Sequence, residues 1–337
     1  MDADRYLDRI GRDPDAVAGA DRETLRSLQR AHVTAVPFET LSITGDPHGP
    51  RDGEGVSLDP ADTYEKVVER RRGGFCYELN GLFGRLLREL GYGPDRVAAR
   101  VVNDGAARPP ANHLSHVVEF DRRYVVDVGI GVPTMRRPTP LDGEVREDAA
   151  GVEWRVVESD RPDAAYVSQY RTPGGDAGDG RSDDAGDGEG ADEQSSSSPR
   201  STTSHEDADG TSSDEPSLAN AREDADEQSS SSPRSTASHE DADGWSDRYV
   251  FSDVPRDRSY FAATCDFLST APESPFTGDP VVTLATEYGH KRLTTETLTV
   301  TENGEKRERS VAPEEWHDVL ETEFGLRFPA DRPPNGE

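Results

Sequence analysis

Lysine is almost missing from this chain. Only Lys66, Lys291 and Lys306 are found among 38 cationic side chains, against 68 carboxylates in 337 residues. The resulting net charge of −30 excludes nucleic acid and anionic membrane as main partners, because such surfaces would repel the protein and no basic stripe offsets the excess. Cysteine is scarce too. Cys76 and Cys265 are the only two, too few for a disulfide framework or a four-cysteine zinc site, and no metal is expected. Long apolar runs are absent: no stretch reaches the roughly 18 residues that a membrane helix requires. No signal-peptide core follows Met1, whose neighbours include Asp2, Asp4 and Arg5. The chain is expected to be cytoplasmic. Its acidic excess suits molar salt, where the Debye length falls to roughly 3 Å and self-repulsion is screened.

The shortage of apolar residues, 32% overall, is uneven. Residues 174–246 hold 20 of the carboxylates, four arginines and only two large apolar side chains, Leu218 and Trp245. Such a segment cannot bury a core and is expected to be disordered. Within it, 191–210 recur almost unchanged at 225–244, differing only at Thr203 and Ala237. The 34-residue period has no apolar face to stack, so a helical solenoid is not expected. The rest carries 48 acidic and 34 basic groups and has apolar runs dense enough for an enzyme-sized body.

The first third reads as helical. Tyr6, Leu7 and Ile10 open it, Asp21 is placed to cap a helix bearing Leu25, Leu28, His32 and Val33 on one face, and Pro37 stops that helix. A third helix is expected over 60–68. After Cys76, Leu79, Leu82, Phe83, Leu86, Leu87 and Leu90 follow the period of a buried helix, with Gly91 as its C-terminal cap. The period then changes to that of strands at 97–102, 113–120, 124–132 and 152–157, with Asp121-Arg122-Arg123 as a hairpin turn. Further strands are expected at 281–287, 290–293 and 297–301, and a last helix over 313–324.

Cys76 therefore stands at a helix N-terminus, where the dipole and unpaired N–H groups stabilise a thiolate. Gly73 and Gly74 before it allow a sharp turn and close approach of a carbonyl. A nucleophilic cysteine needs a base and an orienting group. His113 and His116 lie on one strand, and Asp127 lies in the apolar run of its hairpin partner, where a carboxylate needs a specific partner to offset its desolvation. Alternation puts His113, Ser115 and Val117 on one face and Leu114, His116 and Val118 on the other, more apolar one. His116 thus has the stronger claim to be a core histidine and the pattern favours His113 as base, with His116 as the alternative. His32 reads as a core or surface residue, His205 and His239 fall in the repeats, and His48, His290 and His317 lack a carboxylate-bearing apolar context.

The stretch Arg72-Gly73-Gly74-Phe75-Cys76-Tyr77-Glu78-Leu79-Asn80 resembles the active-cysteine motif of the arylamine N-acetyltransferases, and Asp127-Val128-Gly129-Ile130-Gly131 resembles their aspartate motif. Val36-Pro37-Phe38-Glu39, the 269–276 stretch and Phe324-Gly325-Leu326 extend the likeness over nearly all of the folded part, in the manner of a haloarchaeal-type member with an acidic insert. The resemblance implies a cysteine-proteinase-like α+β fold. Its parts would be a helical bundle with the cysteine (1–95), an antiparallel β-barrel supplying His and Asp (96–173), the disordered acidic insert (174–246) and an α/β lid (247–337). It also implies ping-pong transfer of an acetyl group from acetyl-CoA, through a thioester on Cys76, to an arylamine or hydrazine, with His113 as base and Asp127 as orienting group.

CoA phosphates need cations or free amides. The candidates are Arg72 with Arg70 and Arg71, the Arg136-Arg137 pair, and the backbone at Gly129 and Gly131. Three departures from the family pattern bear on selectivity: Ile130 where Phe is usual, Thr40 in place of Asn, and Cys265 at an Asn-like position in the lid. Glu78 and Asn80 are expected to cap and brace the cysteine loop. Two other readings share these residues. One is a cysteine-triad amidase or hydrolase with water as acceptor; the other is a non-catalytic binding protein using the acidic repeats as a tether.

Overall fold

The computed structural model describes residues 1–17, 19–50, 52–103, 106–172 and 244–327. The described residues belong to one compact unit. The acidic insert up to residue 243 lies outside them, but its last three residues correct the expectation of disorder: Trp245 is buried and Ser246 opens a strand of the barrel sheet.

Helices dominate the start of the chain. α1 (Ala3–Arg9) is capped by Asp2, whose side chain accepts from the Arg5 amide, and α2 (Arg22–Ala35) is capped by Asp21, which accepts from the Thr24 amide. The two-residue strand β1 (Phe38–Glu39) follows, then the single turn α3 (Leu41–Thr44). The helix expected over 60–68 is split. α4 (Pro60–Tyr64) runs into a wider π-type turn, Glu65–Glu69, closed by the Arg70 amide on the Glu65 carbonyl at 2.8 Å. α5 (Cys76–Glu89) matches its apolar period: Leu79, Leu82, Phe83, Leu86 and Leu87 are buried against Tyr6, Leu25 and Leu28. Gly91, at φ 88°, turns the chain away in a conformation that side chains disfavour.

The next nine strands form one antiparallel sheet: β2 (Asp95–Asn103), β3 (Ala106–Ala107), β4 (His113–Glu119), β5 (Arg123–Val126), β6 (Thr139–Pro140), β7 (Arg146–Glu147), β8 (Glu153–Glu158), β9 (Tyr166–Arg171) and β10 (Ser246–Pro255). Their order is β6-β5-β4-β2-β10-β9-β8-β7, with β3 paired to β2. β6 returns against β8, so the sheet curls into a nearly closed barrel. Val117 and Val125 point into its core with Trp154, Tyr249 and Phe251, whereas Val118 and Val126 join the helical core. The β4–β5 hairpin is thus a wall between two cores, and almost every residue of β4 is buried. The strand expected over 124–132 ends at Val126, because the chain leaves the sheet at Asp127 to meet α5. Residues 247–255, expected to belong to the lid, are hydrogen-bonded into the barrel sheet.

A second antiparallel sheet joins β1 to β11 (Val282–Ala285), β12 (Gly289–Leu293), β13 (Thr297–Glu302) and β14 (Glu305–Ser310). It packs on α7 (Trp316–Phe324) through Val282, Leu293, Leu298, Trp316 and Leu320. α6 (Ala262–Thr270) lies between the sheets in sequence. None of the helices in the described residues is long and apolar enough to cross a membrane.

β9 and β10 flank the insert and are paired neighbours, with Tyr170 opposite Ser246. The chain therefore leaves and rejoins the sheet at one point. Replacing 174–243 by a short Asn-Gly turn is expected to preserve the circular dichroism spectrum and to keep the thermal midpoint within about 5 °C, since loop length has little effect on stability. A collapse of the folded signal would show that the insert is needed for folding.

Candidate active site

Cys76 is the first residue of α5, and the segment before it is fastened to β1. The Glu39 amide donates to the Gly74 carbonyl at 3.0 Å, and the Gly74 amide donates to the Pro37 carbonyl at 3.1 Å. A side chain at Gly73 would stand 2.5 Å from the Pro37 carbonyl oxygen and 2.6 Å from Glu39 Cγ. The bare face of this glycine is therefore filled by the protein's own backbone, where the sequence reading expected room for a substrate carbonyl. Glu78 completes the turn by accepting from the Phe75 amide at 2.9 Å, the capping arrangement expected of it.

On the barrel side, β4 pairs His116 with Val126. That register carries Asp127 to the face of His113 and Ser115. His113 Nε2 lies 2.6 Å from Asp127 Oδ2, and both side chains are buried. The other carboxylate oxygen accepts from Asn80 Nδ2 at 3.0 Å and from the Gly129 amide at 2.9 Å. Burial drives the Asp127 carboxyl upward, but the His113 imidazole and these hydrogen bonds outweigh it and hold the group below the usual carboxylate range. The aspartate thus stays ionised and fixes the ring so that Nδ1 is the nitrogen left to take a proton.

α5 and this pair are laced together. Asn80 also donates to the Leu114 carbonyl at 2.7 Å and accepts from the Val128 amide at 2.9 Å, while Tyr77 donates to the Ala111 carbonyl at 2.7 Å. A Cβ on Gly129 would stand 3.0 Å from Cys76 Cα and 2.8 Å from Asn80 Nδ2, so glycine here allows the aspartate loop to lie directly on the cysteine turn. The first turn of α5 is in this way pressed against the backbone that carries His113 and Asp127.

His116 lies on the opposite face of β4. It is fully buried, its Nε2 stands 2.2 Å from where a Gly84 Cβ would be, and neither ring nitrogen has a hydrogen-bond partner. Burial, with the fields of Arg96 and Arg88, pulls its pKa down to about 3, so the ring is a neutral core group. His32 behaves alike, at about 3 through burial, with its Nδ1 2.9 Å from the Tyr6 hydroxyl.

The residues expected to meet CoA divide. Arg72 is buried and paired with Glu39 and Glu54, each at 3.2 Å, Arg70 with Glu54 at 2.7 Å, and Arg136 with Asp148 at 2.9 Å. Gly129 is closed off by Cys76. Gly131, at φ 74°, has nothing nearer than 3.8 Å to the position of a Cβ and is the less crowded of the two glycines, although its carbonyl accepts from the Thr134 hydroxyl at 2.7 Å. Ile130 packs in the barrel core. The aromatic surface beside the thiol comes instead from Phe75, half-buried Phe38 at 5.7 Å between ring centres and half-buried Phe276 at 4.7 Å. Sequence reasoning gave no site role to these rings, nor to Tyr249, whose ring lies 5.4 Å from that of His113, nor to Gln29, which donates to the Asp127 carbonyl at 3.2 Å. Phe38 and Phe276 were signalled only by belonging to motifs; Tyr249 and Gln29 carry no local signal.

The N-acetyltransferase family model matches residues 21–174 and 209–332, and the chain belongs to that family. The arylamine N-acetyltransferase / N-hydroxyarylamine O-acetyltransferase of Salmonella typhimurium is 34% identical over 151 residues, 44% of this chain and 50% of that protein. The chain spans about half the length of the curated relatives it matches. Its fold matches an arylamine N-acetyltransferase of Bacillus cereus described as having a Cys-His-Glu catalytic triad, with TM-score 0.69, 20% identity, and coverage of 97% of this chain and 100% of the other. It also matches the Mycobacterium marinum arylamine N-acetyltransferase in complex with CoA, with TM-score 0.66, 25% identity, and coverage of 96% and 93%. The α+β architecture expected from the sequence is thus the architecture of these enzymes.

Proposed function

We propose that this protein is an acetyl-CoA-dependent N-acetyltransferase that moves an acetyl group through a thioester on Cys76 to an arylamine or hydrazine. The observation that carries the reading is the buried His113–Asp127 pair at 2.6 Å, joined by Asn80 to the helix that begins with Cys76. In the first half-reaction His113 Nδ1 takes the thiol proton, the thiolate attacks the acetyl carbonyl, and CoA leaves as its thiolate, which takes up that proton. Backbone amides at the start of α5 that are not taken by Glu78 are the donors available to the developing oxyanion. In the second, the amine nitrogen attacks the thioester and loses its proton to His113. The amide departs, and the cysteine sulfur recovers its proton. Asp127 stays ionised throughout and stabilises the imidazolium.

Relatives named as arylamine N-acetyltransferases and a neighbouring structure holding CoA support the choice of donor and acceptor. Among the CoA candidates, Gly131 fits best, because Arg72 is engaged in ion pairs and Gly129 is closed off. The acidic excess supports a setting of high salt.

The experiment is release of CoA from acetyl-CoA in molar salt, with and without an arylamine or hydrazine. Sustained release only when the amine is present is expected, after a single acetyl equivalent has been taken up. Sustained release in its absence would make water the acceptor and the protein a hydrolase. No release in either case would leave a binding protein on the same fold.

A further inference from the structure

Lys66 is buried beneath the turn that begins with Cys76. It is 3% exposed, an unusual place for one of only three lysines in the chain. Its Nζ stands 2.7 Å from Glu78 Oε2 and 3.7 Å from Glu39 Oε1. Glu39 also takes Arg72 at 3.2 Å, and these four side chains are all buried. Two cations and two carboxylates thus form a neutral cluster in the interior, touching the partly exposed Glu54 through Arg72 at 3.2 Å. Stability does not require such a cluster, since a buried ion pair is often replaceable by apolar side chains without loss.

Its position suggests what it does. Glu78 lies in the first turn of α5, two residues after the thiol, and caps the amide immediately before it. A carboxylate there draws on the same N-terminal field that favours a thiolate, and repels that thiolate directly. Other charged or titratable groups surround the turn. Glu39 comes from β1, Lys66 from the π-type turn, Arg72 from the cysteine loop, His113 and Asp127 from the barrel, and Cys265, with Asp266 beside it, from α6. His113 and Asp127 are closed on one another. Burial pushes the Cys265 thiol up to about 12, with Glu78 and Asp266 adding to it, so that sulfur is neutral at working pH. The uncompensated term would be Glu78, were Lys66 absent.

We propose that Lys66 is a positioning residue for acetyl transfer: by cancelling the buried charge of Glu78, it leaves the N-terminal field of α5 free to stabilise the thiolate of Cys76. The inference rests on Cys76 being the nucleophile. It predicts opposite signs for the two partners, which a purely structural pair would not give. In the full-length protein, at fixed molar salt, the rate of Cys76 alkylation by iodoacetamide is followed against pH and read by peptide mass mapping, which separates Cys76 from Cys265. Lys66→Gln is expected to raise the midpoint of the profile by about one pH unit, and Glu78→Gln to lower it. The double variant, neutral again, should return close to the wild type. Lys66→Arg, which keeps the charge, should stay near the wild type as well.

Unchanged midpoints, or shifts of both single variants in one direction, overturn the proposal, as does a wild-type Cys76 that iodoacetamide does not reach. If Lys66→Gln does not fold, the direction of the Glu78→Gln shift and the behaviour of the double variant decide the matter. A Cys76 that is alkylated with these shifts but never acetylated by acetyl-CoA refutes the acetyltransferase reading while leaving the charge balance standing. Acetylation with flat midpoints does the reverse.

Discussion

Replacing His113 by alanine is expected to lower kcat/KM for acetyl transfer by about a thousandfold, whereas His116→Leu should leave it within a few-fold of the wild type. The two histidines are three residues apart on one strand, and only their faces separate them. His113 shares its face with Asp127, which it meets at 2.6 Å. His116 points towards Gly84 on α5 with both nitrogens unpartnered. A ring whose pKa is pulled to about 3 is uncharged at neutral pH in any case, but an acceptor with no neighbour to relieve of a proton serves no purpose in catalysis. An apolar side chain of similar size in its place removes two unsatisfied buried groups, so His116→Leu is expected to match or exceed wild-type stability in urea unfolding. An inactive His116→Leu beside an active His113→Ala would exchange the two assignments.

The second large effect is at the thiol. Cys76→Ser changes one atom at a position only 5% exposed, so the fold should be unaffected, as circular dichroism would show. Turnover should fall by about a thousandfold or more. The serine hydroxyl is a far poorer nucleophile at neutral pH, because the N-terminal field of α5 cannot bring its pKa within reach of His113. A serine variant with wild-type kcat at saturating acetyl-CoA would mean that the amine attacks acetyl-CoA directly, with no covalent enzyme intermediate.

Much of the site was legible because its chemistry is local. A thiol just before a run of leucines at helical spacing is a helix-start signal, and the structure begins α5 at that residue. Alternation separated His113 from His116, and the aspartate in an apolar run needed a partner, which His113 supplies. Both faces of β4 are buried, because the hairpin divides the helical core from the barrel core, so the more apolar face is simply the one turned towards α5.

What escaped the sequence depends on partners far along the chain. β10 reaches β9 across the acidic insert, and its pairing cannot be read from either segment alone. β14, Glu305–Ser310, is exposed along its whole length and has no apolar alternation to announce it. Lys66 looks like a surface charge in a sequence this acidic, and nothing local links it to Glu39 or Glu78; only the meeting of β1, the π-type turn and α5 buries the three together. Arg72 reads as a phosphate ligand in isolation, yet Glu39 and Glu54 are brought to it by the fold. Gly73 and Gly129 suggest room for a ligand, and the protein fills that room itself, with Pro37 and Glu39 at the first and Cys76 and Asn80 at the second.

The central claim is that one sulfur, at the head of α5, carries the acetyl group. Intact-protein mass spectrometry after exposure to acetyl-CoA without amine, followed by peptide mapping, tests it most directly. The account predicts a single acetyl group on Cys76, none on Cys265, none in the Cys76→Ser variant, and loss of the adduct when an arylamine or hydrazine is added. An unmodified protein, or an acetyl group that persists in Cys76→Ser, would contradict it.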